Sequence, residues 1–249
     1  LKRREYAHLE FRNVTFQYSD AEEPVLSNLS FESKSGEVTA IIGGTGSGKS
    51  TIAKLIPRFF EVQSGYIMVD GTDIKNLSQK ELRDKIGLVP QKAFLFSGTI
   101  TENIRYGKKD ATQEQIEHAA KVAQAHDFIT SLEHGYDSHV AQGGNNLSGG
   151  QKQRLSIARA LIRKPEIYIF DDSFSALDFK TDARLRRALK SEIGSSTVII
   201  VAQRISTIMD ADRIIVLDDG KIVDIGGHEE LMKSCDVYKQ IAASQLSEA

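Results

Sequence analysis

Three short apolar runs organise the chain. Val38-Thr39-Ala40-Ile41-Ile42, Ile167-Tyr168-Ile169-Phe170 and Thr197-Val198-Ile199-Ile200-Val201 are apolar at nearly every position and do not alternate. Strands buried on both faces read this way, so the three predict a parallel central sheet ending at Ile42, Phe170 and Val201. His8 to Phe16 differs: Leu9, Phe11, Val14 and Phe16 alternate with a slip, the pattern of antiparallel strands. Residues 92–160 read mainly helical, with Glu114 to Ala125 one helix and Gln151 to Arg163 another, the latter stopped by Lys164-Pro165. Arg184, Arg186, Arg187 and Lys190 fall on a further helix as its solvated face and not as a nucleic-acid patch. The longest apolar runs are about five or six residues, too short to span a bilayer.

The chemistry lies where these elements meet glycine. Gly43-Gly44-Thr45-Gly46-Ser47-Gly48-Lys49-Ser50 fits G-x-x-x-x-G-K-[ST], with the first strand before it and a helix expected from Thr51 to Phe60 after it. Such a loop wraps phosphates with backbone N–H groups, and the helix dipole favours their charge. Lys49 is placed to reach the outer phosphates and Ser50 to bind Mg²⁺. The second run ends at Asp171-Asp172. A carboxylate at the end of a parallel strand beside a P-loop can hold the Mg²⁺ shell, and Asp171 fits that role.

Leu147-Ser148-Gly149-Gly150-Gln151 is a second anion-seeking segment. Ser148 and Gln151 have capping-box spacing, so a helix is expected to start there, its first turn stripped bare by Gly149 and Gly150. No Lys or strand stands beside it. One whole site and one half-site imply pairing with another copy, or a relative, across shared ATP.

In this order and spacing the three motifs resemble the nucleotide-binding domain of an ATP-binding cassette (ABC) transporter, over roughly residues 8 to 245. The resemblance implies an α/β fold: a P-loop NTPase (RecA-like) parallel-sheet core with an antiparallel β subdomain and an inserted α-helical subdomain. Residues 1–249 would form a single such domain, with 1–91 and 161–249 the ATP-binding core and 92–160 the helical part. Carried over by motif, Tyr18 is the aromatic that stacks on adenine, and Gly44 to Thr51 hold the phosphates. Gln91 touches Mg²⁺ and senses the membrane domain. Ser175-Ala176-Leu177-Asp178 matches the D-loop that crosses the dimer interface. Gly227-His228-Glu229-Glu230-Leu231 matches a tail motif, with His228 a structural residue at a helix start. Phe94 to Gly107 is similar to the exporter branch, where this stretch receives coupling helices; Phe94, Leu95 and Phe96 divide between core packing and a partner-facing patch. The resemblance further implies an upstream transmembrane domain, with Leu1 in place of Met and Lys2-Arg3-Arg4 read as the tail of a linker. The chain is then the cytoplasmic domain of a cell-membrane transporter, with ATP and Mg²⁺ as cofactors.

Two positions depart from the family. The residue after the strand-ending Asp is usually Glu, the general base for the attacking water; here it is Asp172, whose carboxylate falls about 1.5 Å short, one C–C bond. After the third run the family usually places His against the γ-phosphate, where this chain has Gln203. Gln can hydrogen-bond phosphate but cannot carry a proton. Binding of ATP should survive, with Lys49 in place, and hydrolysis should suffer. The pair resembles the degenerate-site half of a heterodimeric exporter, whose partner supplies Glu and His and uses this chain's intact Leu147–Gln151.

Composition changes little. A formal charge of −2 draws no nucleic acid. One cysteine, Cys235, leaves no internal disulfide and fits a reducing compartment. A soluble relative acting on DNA would carry a long coiled coil between P-loop and signature, yet only about a hundred residues intervene, without heptads. A homodimeric exporter and a nucleotide-gated module remain as alternatives.

Overall fold

A computed structural model of the chain describes residues 8–246; Lys2-Arg3-Arg4 lies outside them. In chain order the strands are β1 Leu9–Phe16, β2 Leu26–Ser33, β3 Val38–Gly43, β4 Ser64–Val69, β5 Thr72–Asp73, β6 Ile86–Val89, β7 Gly98–Thr99, β8 His139–Val140, β9 Ile167–Asp171, β10 Thr197–Val201, β11 Arg213–Asp218 and β12 Lys221–Gly226. The α-helices are α1 Lys49–Leu55, α2 Gln79–Asp84, α3 Ile100–Arg105, α4 Gln113–Val122, α5 His126–Ser131, α6 Gly149–Leu161, α7 Phe179–Ile193, α8 Ile205–Ile208, α9 His228–Ser234 and α10 Asp236–Leu246. They form two compact units: Leu1–Ile86 with Glu166–Asp172 and Ser195–Ala249, and Gly87–Pro165 with Ser173–Gly194.

The first unit holds two sheets. In the larger, β10 lies between β3 and β9 and parallel to both; β11 follows parallel to β3, and β12 turns back antiparallel. Every residue of β9 and β10 is buried, which is why neither run alternates. The smaller sheet is antiparallel, in the order β2-β1-β4-β5. The slip in β1 is a bulge around Asn13, where φ is 48° and the register shifts against both neighbours. The extra residue returns Val14 and Phe16 to the buried face beside Leu9 and Phe11.

The helix expected over Thr51–Phe60 is shorter and starts earlier, at Lys49, ending at Leu55. Pro57 offers no N–H to continue the ladder, and Arg58 turns left-handed at φ 56°.

The second unit is mainly helical, with the β7–β8 ribbon at one end of α3. The two helices expected there run Gln113–Val122 and Gly149–Leu161. Capping boxes open both: Thr112 with Gln115, and Ser148 with Gln151, where Gln151 N–H donates to Ser148 Oγ at 3.2 Å and Ser148 N–H to Gln151 Oε1 at 2.9 Å. Left-handed Gln124 follows α4, and left-handed Lys164 precedes Pro165 after α6. The unit reaches beyond 92–160: it begins at Gly87 and includes α7, which packs on α4 and is tied to it by His118 Nε2 and Glu192 Oε2 at 2.9 Å. On α7, Arg184, Arg187 and Lys190 are exposed, while Arg186 lies half-buried on Asp182 at 3.1 Å.

Candidate nucleotide site

The loop between β3 and α1 belongs to the first unit. Gly46 and Gly48 have φ of 79° and 99°, the left-handed region that L side chains rarely enter. At Gly48 a Cβ would also lie 2.5 Å from Leu26 Cδ2, so glycine is required there twice over. At Gly44 and Gly46 a Cβ would meet nothing within 4 Å, leaving their backbone open to a ligand. No acidic side chain of α1 itself sits in its first turn, so the helix adds no negative charge of its own at its start. Lys49 Nζ donates to Gly43 O and Gly44 O, both at 2.7 Å, and lies 3.4 Å from Ser47 Oγ. Burial pushes the Lys49 ammonium down, against the pull of Asp172 and Asp171.

Two strand ends face this loop. Asp171, the last residue of β9, is buried and accepts from Ser50 Oγ at 2.8 Å through Oδ1. Burial pushes its carboxyl up, opposed by Ser50 and by Lys54 and Lys49. A hydroxyl and a carboxylate at this separation are two hard oxygen donors of the kind Mg²⁺ takes alongside phosphate, so the residues fit that ion. Asp172 follows with φ 48°, a left-handed residue whose N–H donates to Val201 O at 2.9 Å. Gln203, just past β10, donates from Nε2 to Asp172 Oδ2 at 2.8 Å. The two residues that depart from the family pattern are thus bonded to each other.

Tyr18 stands beside the same loop. Its hydroxyl is 3.1 Å from Thr51 Oγ1, and its ring meets Phe16 and Phe60 edge-on at centroid distances of 4.8 and 5.1 Å. Phe60 and Thr51 as companions of Tyr18 carry no signal in the sequence, since both lie more than thirty residues away.

The remaining candidates lie in the second unit. Ser148 and Gly149 are exposed at the start of α6. Gly150 lies against the 175–178 segment: a Cβ on it would come 3.3 Å from Ala176 O and 3.7 Å from Leu177 Cδ2. Leu177 is buried, and Asp178 caps α7, accepting from Thr181 N–H at 2.9 Å and Thr181 Oγ1 at 2.7 Å. The Thr181 backbone bond holds the Asp178 carboxyl below the usual range. Gln91 is exposed. Leu95 is fully buried, but Phe94, Phe96 and Tyr106 are 52, 40 and 65% exposed and form one aromatic cluster. Arg159 stands over the Phe96 and Tyr106 rings at 5.5 and 5.9 Å and donates to Phe94 O at 2.9 Å. Leu95 is therefore core, and its two neighbours are surface. In the first unit, His228 is the first residue of α9 and bonds the Tyr238 hydroxyl through Nδ1 at 2.8 Å. Among the described residues, no helix is long and apolar enough to cross a membrane.

Known proteins resemble the chain over most of its length. The family profile described as ABC transporter matches residues 26–175. The chain is 48% identical to the uncharacterized ABC transporter ATP-binding protein YfiB of Bacillus subtilis over 238 residues, 96% of this chain and 41% of that protein. It is likewise 48% identical to the uncharacterized ABC transporter ATP-binding protein Rv1273c of Mycobacterium tuberculosis, over 93% of this chain and 40% of that protein. The structure of a bacterial Atm1-family ABC exporter with ATP bound superposes with a TM-score of 0.93 at 42% identity, covering 96% of this chain and 42% of that one. The chain spans about two-fifths of the length of the curated relatives it matches. It belongs to the ABC transporter family, and its fold is the P-loop ATPase domain of that family.

Proposed function

We propose that this chain is the ATP-binding motor domain of an ABC exporter, with its own site slow in hydrolysis. ATP with Mg²⁺ lies on the 43–51 loop, with Lys49 on the outer phosphates, Ser50 and Asp171 beside the ion and Tyr18 on the base. Bound Mg²⁺ neutralises charge on the phosphates and orients them. A second nucleotide-binding domain, a different subunit with Glu and His at the positions of Asp172 and Gln203, receives Leu147–Gln151 and the 175–178 segment. The Phe94–Phe96–Tyr106 cluster meets coupling helices of an upstream transmembrane domain at the cytoplasmic face of the membrane.

The observation that carries the slow-site reading is the 2.8 Å bond from Gln203 Nε2 to Asp172 Oδ2. A general base must accept the proton of the attacking water. Here one carboxylate oxygen is occupied by an amide that donates and cannot relay a proton. The pair therefore holds the site in shape without driving the chemical step.

If the pair shapes the site and does not bind nucleotide, Gln203→Ala leaves the dissociation constant for Mg·ATP within about twofold of wild type, because a uniform binding contact is not removed. Equilibrium dialysis with labelled ATP measures it. A tenfold or greater loss of affinity would assign Gln203 to nucleotide binding and overturn this part of the reading.

A further inference from the structure

The segment that carries Gln203 is held by a residue more than forty positions downstream. Gln245, near the end of α10, donates from Nε2 to the main-chain O of Gln203 and accepts the Ile205 N–H on Oε1 at 2.9 Å. One side-chain amide thus closes both sides of Arg204, as a neighbouring strand would. The need for it is local. Ile205 opens α8, a four-residue helix whose N-cap, Arg204, makes no side-chain cap hydrogen bond, so a first-turn donor must be met from elsewhere.

The other end of α10 is fixed. Tyr238 is fully buried, and its hydroxyl bonds His228. Tyr238 and Gln245 are seven residues apart, two helical turns, and so share one face of α10. The helix packs on α8, β11 and β3, which places the Tyr238 anchor in the core and Gln245 at the segment after β10.

We propose that Gln245 is a positioning residue for Gln203: docking of α10 fixes the Gln203 main chain, and through it the Gln203–Asp172 bond. Undocking the C-terminal helix would then release Asp172 without any change in the phosphate loop. The inference rests on reading Asp172 and Gln203 as the pair facing the reacting phosphate. It adds that this pair is set from the C-terminal helix.

The test is the ¹H–¹⁵N spectrum of the 249-residue chain, following the Gln203 side-chain amide and the exchange of the Ile205 main-chain amide. In Gln245→Ala, Ile205 exchange rises about tenfold, the worth of one hydrogen bond. The Gln203 amide moves to the position it takes in Asp172→Ala. Gln245→Glu separates capping from positioning. Its carboxylate still accepts from Ile205 but cannot donate to Gln203 O, so Ile205 stays protected while the Gln203 amide moves. If Gln245→Ala does not fold, Gln245→Glu alone carries the test. A Gln203 amide that stays put in these variants would show that Gln245 only caps α8 and would overturn the proposal. Ordinary wild-type turnover would overturn the reading of the pair yet leave these spectra as predicted, so the two fail separately.

Discussion

Replacing Asp172 by Glu and Gln203 by His together raises ATP turnover at this site by about a hundredfold or more. Two effects combine. The extra methylene carries the carboxylate about 1.5 Å further, and misplacement by about 1 Å costs roughly a hundredfold. A working general base contributes about 10²–10⁴-fold. Because Gln203 Nε2 lies 2.8 Å from Asp172 Oδ2, the two substitutions couple, and the single variants do not multiply to the double. Asp172→Glu alone leaves the new carboxylate bound to an amide. Gln203→His alone leaves it short. A stability cost accompanies the gain. Residue 172 has φ 48°, a left-handed conformation in which Asp is enriched, so Glu there is strained by about 1 kcal/mol. Steady-state phosphate release from the four proteins measures the cycle. A double variant within a factor of three of wild type would contradict the account.

Lys49→Ala weakens Mg·ATP binding by roughly 10–100-fold. A charged hydrogen bond is worth about 1.5–3 kcal/mol, and each 1.4 kcal/mol is about tenfold. Lys49 also ties the loop to itself through Gly43 O and Gly44 O at 2.7 Å, so the variant loses preorganisation as well as charge. Lys49→Arg does not restore binding, since a planar fork does not fit where a compact ammonium sits. Equilibrium dialysis with labelled ATP reads both. Affinity within twofold of wild type in Lys49→Ala would remove Lys49 from the site.

The elements that the sequence displayed plainly were those whose cause is local. The unbroken apolar runs of β9 and β10 follow from burial on both faces, and Ser148 with Gln151 spells a capping box that the structure makes. The slip in β1 was visible, though the bulge at Asn13 that causes it was not. The helix after the phosphate loop stops short of Phe60 because Pro57 and left-handed Arg58 end it, a break that the apolar residues around them mask. Contacts between distant segments left no trace. Asp172 and Gln203 each stood out as a departure, but nothing in the sequence brought them within 2.8 Å. Gln245 carried no signal at all, because a Gln beside Ser244 near a helix end reads as surface. The split of Phe94, Leu95 and Phe96 between core and surface also depended on tertiary packing, with Leu95 fully buried.

The most direct measurement is the identity of the nucleotide that stays on the wild-type chain. The chain is incubated with Mg²⁺ and ATP at a concentration high enough for two copies to pair, freed of excess ligand, and its bound nucleotide separated by chromatography over time. Intact ATP is expected, recovered unchanged over minutes. Bound ADP appearing within seconds, at the roughly 10 s⁻¹ typical of enzymes, would contradict it and make Asp172 a working base.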